Sequence, residues 1–449
     1  MAINCGQRLL LHFRVCWPAK LRRRFLATAP ENWRCEEARR KQPRKKGWKH
    51  KKLKERNSSW EERLSSAVTP LCGLPYEEQL QPVVNGYRNK STFSVNRGPD
   101  GNPKTVGLYV GHGKGRDIVC VRANHLLNMP AAHLQVAQCY EEFLRQSPLD
   151  PCLLFHLGGH WREIIVRSNK KGDTMAIITF HPQDLSPEEL CYQKELIKDF
   201  FLQGPGAVCA LTSLYFQEST MTHCSHQQSP YQLLYGEPHI FEELQGLKFR
   251  ISPDAFFQVN TAGAEVLYQT IGKLSSVCKD TILLDICCGT GAIGLSLAEQ
   301  VGRVVGIEVV DQAVEDARWN AAFNGISNCE FQCGKAEVVL PQFLTSWTDC
   351  HPLTAVVNPS RAGLRYFLTS FLSSDYRVVR ALRNCEAIRT LVYVSCKPEG
   401  EAMRNFLEFC CPQAAEKKLV GEPFMPLFAV PVDLFPHTTH CELVLLFAR

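Results

Sequence analysis

No aspartate or glutamate precedes Glu31, no two of the 21 cysteines stand in a C-x-x-C arrangement, and no internal repeat is visible. No stretch approaches the roughly 18 uninterrupted apolar residues that a membrane helix needs, so a soluble protein without a membrane partner is expected. Without C-x-x-C pairs, zinc ribbons, thioredoxin-type motifs and cysteine-rich iron–sulfur runs are excluded. The vicinal pairs Cys287–Cys288 and Cys410–Cys411 are poor geometry for ordinary bridges. Most thiols therefore read as small buried hydrophobes in a reducing compartment. The acid-free start spreads Arg8, Arg14, Lys20, Arg22, Arg23 and Arg24 among Leu, Phe and Val. That is the composition of a mitochondrial transit peptide over residues 1–30, with Arg23–Thr28 as its processing region; a basic tail of a nuclear or cytosolic protein is the alternative.

A chain of 449 residues predicts two or three domains. Its net charge of +6 is concentrated in one arm, Arg39–Arg56, which reads RRKQPRKKGWKHKKLKER and holds a single acid, Glu55. Such an arm suits phosphate contacts or simple solvation, and residues 31–66 read as a basic disordered linker. Residues 67–245 form a mixed α+β region. Strand-like alternation occurs at Thr92–Val95, Thr105–Val110 and Met175–Thr179, and helical patterns near Ala132–Arg145 and Pro187–Phe201.

Residues 246–449 change character: strands and helices alternate, as in a doubly wound, mostly parallel α/β sheet. Strands are predicted at Thr281–Ile286, Arg303–Ile307, Cys329–Cys333, Thr354–Val357, Thr390–Val394 and Cys441–Phe447. Helices are predicted over Ala262–Ser275, Gly291–Gln300 and from an Asp311 N-cap to about Asn324. The first of these strands runs into DICCGTGAIG, where Gly289, Gly291 and Gly294 permit a tight turn and a close ligand approach. Glu308, ending the next strand, is placed to accept from the hydroxyls of an adenosine ribose. The glycine spacing also fits a dinucleotide. Asp285, just before the turn, favours a cofactor with an amino group over a pyrophosphate, which it would repel. S-adenosylmethionine is thus the expected ligand.

Three further loops follow strands of this sheet, where ligands bind beyond the carboxyl ends. Ser395-Cys396-Lys397-Pro398 offers a thiol, with Lys397 as a cation that could favour the thiolate; a buried structural cysteine is the alternative. Asn358-Pro359-Ser360-Arg361-Ala362-Gly363 sets an amide and a cation at a strand end. His437-Thr438-Thr439-His440-Cys441-Glu442 could ligate metal, but Glu442 reads more simply as a general base, and no metal is expected.

Taken in order, FFQVN with Gln258, DICCGTGAIG, Gly306-Ile307-Glu308, NPSRAG, VSCKP and HTTHCE resemble the motifs of the RNA (uracil-5-)-methyltransferase family across residues 70–449. The resemblance implies a Rossmann-like class I methyltransferase domain preceded by an RNA-binding domain. It implies S-adenosylmethionine contacts at Gln258, Glu308 and Asn358, a nucleophile at Cys396 and a base at Glu442. It also points to RNA or uracil contacts at Arg88 and Lys90, in Tyr87-Arg88-Asn89-Lys90, and at Arg361. The family usually has Asp-Pro-Pro-Arg and Ser-Cys-Asn-Pro where this chain has NPSR and SCKP, and Tyr366–Asp375 looks like an insertion. The implied product is 5-methyluridine in a tRNA T-loop or a ribosomal RNA loop, made by a monomer. Cytosine-5 methylation is disfavoured because its relatives carry a cysteine in the NPSR loop. A non-catalytic RNA-binding or chaperone protein with a decayed site is the rival of another class.

Overall fold

The computed structural model describes residues 59, 61–62, 85–111, 118–153, 158–219, 230–346, 351–361, 363–364, 377–398 and 402–449. The expected transit peptide and the insertion-like segment Tyr366–Asp375 lie outside the described residues, as does the basic linker apart from Ser59, Glu61 and Glu62. The chain packs as two compact units. One runs to Thr261 and takes back Phe435–Thr439; the other comprises Ala262–Leu434 and His440–Arg449.

The first unit holds β1 (Lys90–Asn96), β2 (Thr105–Val110), β3 (Val119–Val121), α1 (Ala131–Gln146), β4 (Trp161–Ser168), β5 (Thr174–Phe180), α2 (Pro187–Leu202), β6 (Ser213–Glu218), β7 (Tyr231–Gly236), β8 (Ile240–Leu244) and β9 (Leu247–Ile251). Strands β1 to β7 form one sheet in the order β3-β2-β1-β4-β5-β6-β7. Its neighbours are antiparallel except β5 and β6, which α2 joins as a parallel crossover. Alternation in β1 buries Ser91, Phe93 and Val95, and Trp161 packs edge-on against Phe143 and Phe180 in the same core. Ser186 and Glu189 cap α2 reciprocally, with Pro187 opening the helix. Strands β8 and β9 make a separate hairpin whose turn, Gln245 and Gly246, has φ of 52° and 78°.

The second unit follows with α3 (Thr261–Ser275), β10 (Ile282–Ile286), α4 (Ala292–Leu297), β11 (Arg303–Glu308), α5 (Asp311–Phe323), β12 (Cys329–Cys333), α6 (Ala336–Ser346), β13 (Leu353–Val357), α7 (Arg377–Asn384), β14 (Ile388–Ser395), α8 (Ala402–Cys410), β15 (Met425–Val432) and β16 (Glu442–Ala448). The sheet order is β12-β11-β10-β13-β14-β16-β15. Strands β10 to β14 are mutually parallel, whereas β16 runs antiparallel to both β14 and β15. This is the expected doubly wound α/β class, and the order reverses between β10 and β13, so their carboxyl ends open side by side. Strands β10 and β13 bury every residue, as parallel strands covered on both faces must. Each fully buried Leu, Ile or Val there contributes about 1.5–3 kcal/mol relative to exposure. Asp311 is the first helical residue of α5 rather than its N-cap; Val310 takes the cap position without a side-chain hydrogen bond. The Asp311 carboxylate meets the Cys333 thiol at 2.6 Å instead.

Candidate active site

The turn after β10 is built by backbone conformation. Cys287, Gly289 and Gly291 have φ of 62°, 55° and 77°. Gly291 caps α4, and a Cβ on it would stand 2.9 Å from the Phe331 ring. Gly294, one turn into α4, packs so closely that a Cβ there would meet Val304 Cγ1 at 2.7 Å. Asp285 has no exposed surface. One of its oxygens accepts from the Gly294 N–H at 2.9 Å, and the other has no hydrogen-bond partner. Burial raises its pKa to about 7, partly opposed by the Gly294 hydrogen bond and reinforced by Glu308. Glu308, at the end of β11, accepts from the N–H groups of Gly289 at 3.0 Å, Val309 at 2.8 Å and Val310 at 3.1 Å. Val309 and Val310 beside it are exposed. The Asn358 N–H bonds the Ile286 carbonyl at 3.1 Å, tying the loop after β13 to the end of β10.

These groups fit S-adenosylmethionine. A carboxylate that already accepts three N–H groups keeps about one lone-pair position free beside exposed apolar side chains, which suits a ribose hydroxyl and a purine face.

Sheet register creates the second cluster. Ser395 on β14 pairs with Leu443 on antiparallel β16, so Cys396, the next residue, lies opposite Glu442, the one before. Glu442 is buried, and desolvation raises its pKa to about 7 while Arg361 opposes the shift. The Cys396 thiol is also pushed up, by burial and then by Glu442. A hydrogen bond and the charge of Arg361 oppose that rise. Thiol, carboxyl and guanidinium thus act on one another, and Arg361 favours the ionised form of both acids. Tyr268 on α3 is buried near Asp285 and Glu442, and burial and those two carboxyls raise its pKa.

Lys397 does not supply the expected cation. Its side chain is exposed, and the charges acting on Cys396 are those of Glu442 and Arg361. Consecutive residues leaving a strand point to opposite sides, so the neighbour in sequence turns away while a residue from the adjoining loop turns in. Among the described residues no group of three His, Cys, Asp or Glu side chains could hold a metal ion, and the fifteen described cysteines are all free thiols.

In the first unit Gln258 is buried, and its carbonyl accepts from Asn89 Nδ2 at 2.8 Å. Arg88 Nε donates to the Lys90 carbonyl at 3.2 Å. Lys90 has its pKa lowered to about 8 by burial and by Arg167 and Arg88, with Glu163 opposing. His133, held between Ser91 and Ser168 hydroxyls at 2.9 and 2.8 Å, is driven down to about 3 by burial and Arg88. Arg88 and Arg167, the latter on β4 opposite Lys90, thus act on Lys90 with Glu163 among them. Glu163 and Arg167 carried no motif in the sequence.

A family model described as a methyltransferase domain matches residues 278–356. The chain is 58% identical to the mouse tRNA (uracil-5-)-methyltransferase homolog B over 91% of its own length and 90% of that protein's. It is 60% identical to the human homolog B, covering 88% of this chain and 85% of that one. Mouse homolog A is 43% identical over 86% of this chain and 60% of its own. A solved structure of similar fold is the Pyrococcus abyssi tRNA (uracil-54, C5)-methyltransferase in complex with S-adenosyl-L-homocysteine. It has a TM-score of 0.56 and 21% identity, covering 82% of this chain and 77% of that one.

Proposed function

The chain belongs to the tRNA (uracil-5-)-methyltransferase family, and we propose that it methylates C5 of a tRNA uridine through a covalent bond from Cys396. It is an S-adenosylmethionine-dependent RNA methyltransferase. The observation that carries the finer reading is the register-enforced meeting of Cys396 and Glu442, with Arg361 acting on both.

Glu308 would hold the ribose of S-adenosylmethionine, with the Gly289–Gly291 turn and Asn358 beside it, and Asp285 braces that turn from below through Gly294. When bound, the cofactor supplies the electrophilic methyl that the activated C5 takes. C5 of uracil is a poor nucleophile until the ring's conjugation is broken. Cys396 Sγ, as thiolate, adds to C6, and the C5–C6 π pair moves onto C5. Arg361 offsets what burial and Glu442 cost the thiolate. After C5 carries the methyl, the Glu442 carboxylate removes the C5 proton. That electron pair restores the C5–C6 double bond as the C6–S bond breaks, returning the thiolate. The target base must leave its stack to reach these groups. Arg88 and Lys90 on the first unit supply positive charge for the RNA backbone.

The test is a tRNA transcript containing 5-fluorouridine, incubated with S-adenosylmethionine and run on a denaturing gel. Fluorine at C5 leaves Glu442 no proton to remove, so wild type is held as a protein–RNA adduct. Cys396→Ala forms none, and on ordinary tRNA it yields no 5-methyluridine by mass spectrometry. Product from Cys396→Ala would sink the covalent reading. A wild type that binds tRNA but gives neither adduct nor product would favour the non-catalytic RNA-binding alternative.

A further inference from the structure

Asn405, on α8, has no exposed surface. Its Oδ1 accepts two hydrogen bonds, from the Leu364 N–H at 3.1 Å and from the Tyr393 hydroxyl at 3.2 Å. Its Nδ2 is buried with no hydrogen-bond partner. The two donors come from the two segments that bear the reactive cluster. Leu364 lies three residues past Arg361 in the loop after β13, and Tyr393 lies three residues before Cys396 on β14. The loop turns through Ser360 and Gly363, whose N–H bonds the Ser360 carbonyl at 2.8 Å. Gly363 has φ of 74°, and a Cβ on it would stand 2.5 Å from Asn405 Oδ1. A buried amide that leaves its own NH2 unsatisfied sacrifices a donor, and an acceptor aimed at two separate segments is what it retains.

We propose that Asn405 is a positioning residue, clamping the loop that carries Arg361 to the strand that carries Cys396 so that the guanidinium faces the thiol. The inference rests on the roles given to Cys396 and Arg361 above. It asks of Asn405 no contact with RNA or cofactor.

Among the described residues, the titratable and charged groups that act on Cys396 are Glu442 from β16 and Arg361 from the loop after β13, and the thiol in turn acts on Tyr393 of its own strand. A loosened loop therefore withdraws the one cation among them, and the thiol must ionise at higher pH. The measurement is the pH profile of Cys396 alkylation by iodoacetamide in the full-length protein, read by mass spectrometry on the tryptic peptide Thr390–Arg404, whose only cysteine is Cys396. Arg361→Ala moves the apparent pKa up by about one unit. Asn405→Ala moves it in the same direction by a similar amount, and the double variant moves it no further than the larger single. Tyr393→Phe, which leaves the Leu364 bond in place, moves it less. Where Asn405→Ala does not fold, Asn405→Ser carries the test with the same expectation. If Arg361→Ala shifts the profile and the folded Asn405 variants do not, or if the two shifts add, the positioning role is overturned and the reading of Arg361 stands. If Arg361→Ala itself leaves the profile unchanged, the role of Arg361 falls, and the inference falls with it.

Discussion

The molecule contains two seven-stranded sheets that bury different kinds of ionisable group. In the mostly parallel sheet the ionisable groups at strand ends are acids, Asp285, Cys396 and Glu442, and burial pushes all three toward their neutral forms. In the mostly antiparallel sheet the base Lys90 opens β1 and the acid Glu163 stands on β4, and burial pushes both toward their neutral forms; His133, on α1 and bonded to Ser91 of β1, is lowered by burial and Arg88. Desolvation is the common cause, yet the two results would serve different chemistry on the function proposed above. A buried carboxyl with a pKa near neutrality can take a proton and give it up within one turnover. A cation held among other cations is repaid by an approaching phosphate, which relieves the repulsion.

The largest effect that would sharpen this contrast is on the acid side. Glu442→Gln should lower turnover about 10²–10⁴-fold. On ordinary tRNA it should also accumulate a methylated protein–RNA adduct on denaturing gels, because C5 keeps its proton. In wild type, the single-turnover rate should fall as pH drops through about 7, where the carboxyl becomes protonated. A rate indifferent to pH from 6 to 8, or Glu442→Gln turning over normally, would break the assignment.

Asp285 gives the next effect, on stability. Its folded pKa is raised, so between its ordinary carboxylate range and about 7 the folded state holds a proton that the unfolded state has lost. Stability therefore declines as pH rises through that window, by at most about 1.4 kcal/mol per pH unit for one proton, and levels above it. Asn at this position keeps an acceptor for the Gly294 N–H and removes the titration. Urea unfolding of Asp285→Asn should show a flatter profile between about pH 4 and 7; an unchanged slope would mean that Asp285 does not set it.

The smallest effect belongs to the mostly antiparallel sheet. Lys90→Gln should weaken tRNA binding severalfold and reduce the slope of log affinity against log salt by about one. Its folded pKa is depressed, so the wild-type lysine costs stability below about 8, and that cost fades as pH rises toward the ordinary lysine value. An unchanged salt slope would remove Lys90 from the phosphate contacts.

Much of the second sheet was legible because its strands are fully apolar and punctuated by glycine turns; β12 coincides with its expected span, Cys329–Cys333. Strand β15 was not. Met425, Leu427 and Phe428 leave substantial surface exposed, and Pro426 and Pro431 interrupt the pattern, as suits an edge. Cys396, Glu442 and Arg361 could each be singled out from local sequence, but not that Arg361, rather than the adjacent Lys397, would be the cation acting on the thiol. Arg361 reaches the thiol from another loop, which only strand order decides. Asn405 left no trace, since a polar residue in an amphipathic helix reads as solvent-facing until tertiary packing buries it.

One further consequence follows from β16 lying between β14 and β15, which do not pair with each other. Strand β15 reaches the sheet only through β16, whether β16 adds to β14 first or the β15–β16 hairpin adds as a unit. Such non-local pairing is slow. Until it occurs, β14 presents an open edge whose last five residues are apolar or small and destined for burial, a surface prone to capture another chain. The same event that seals this edge delivers Glu442 to Cys396. On the mechanism proposed above, a chain that has not closed this edge would carry the attacking thiol without the base that releases it.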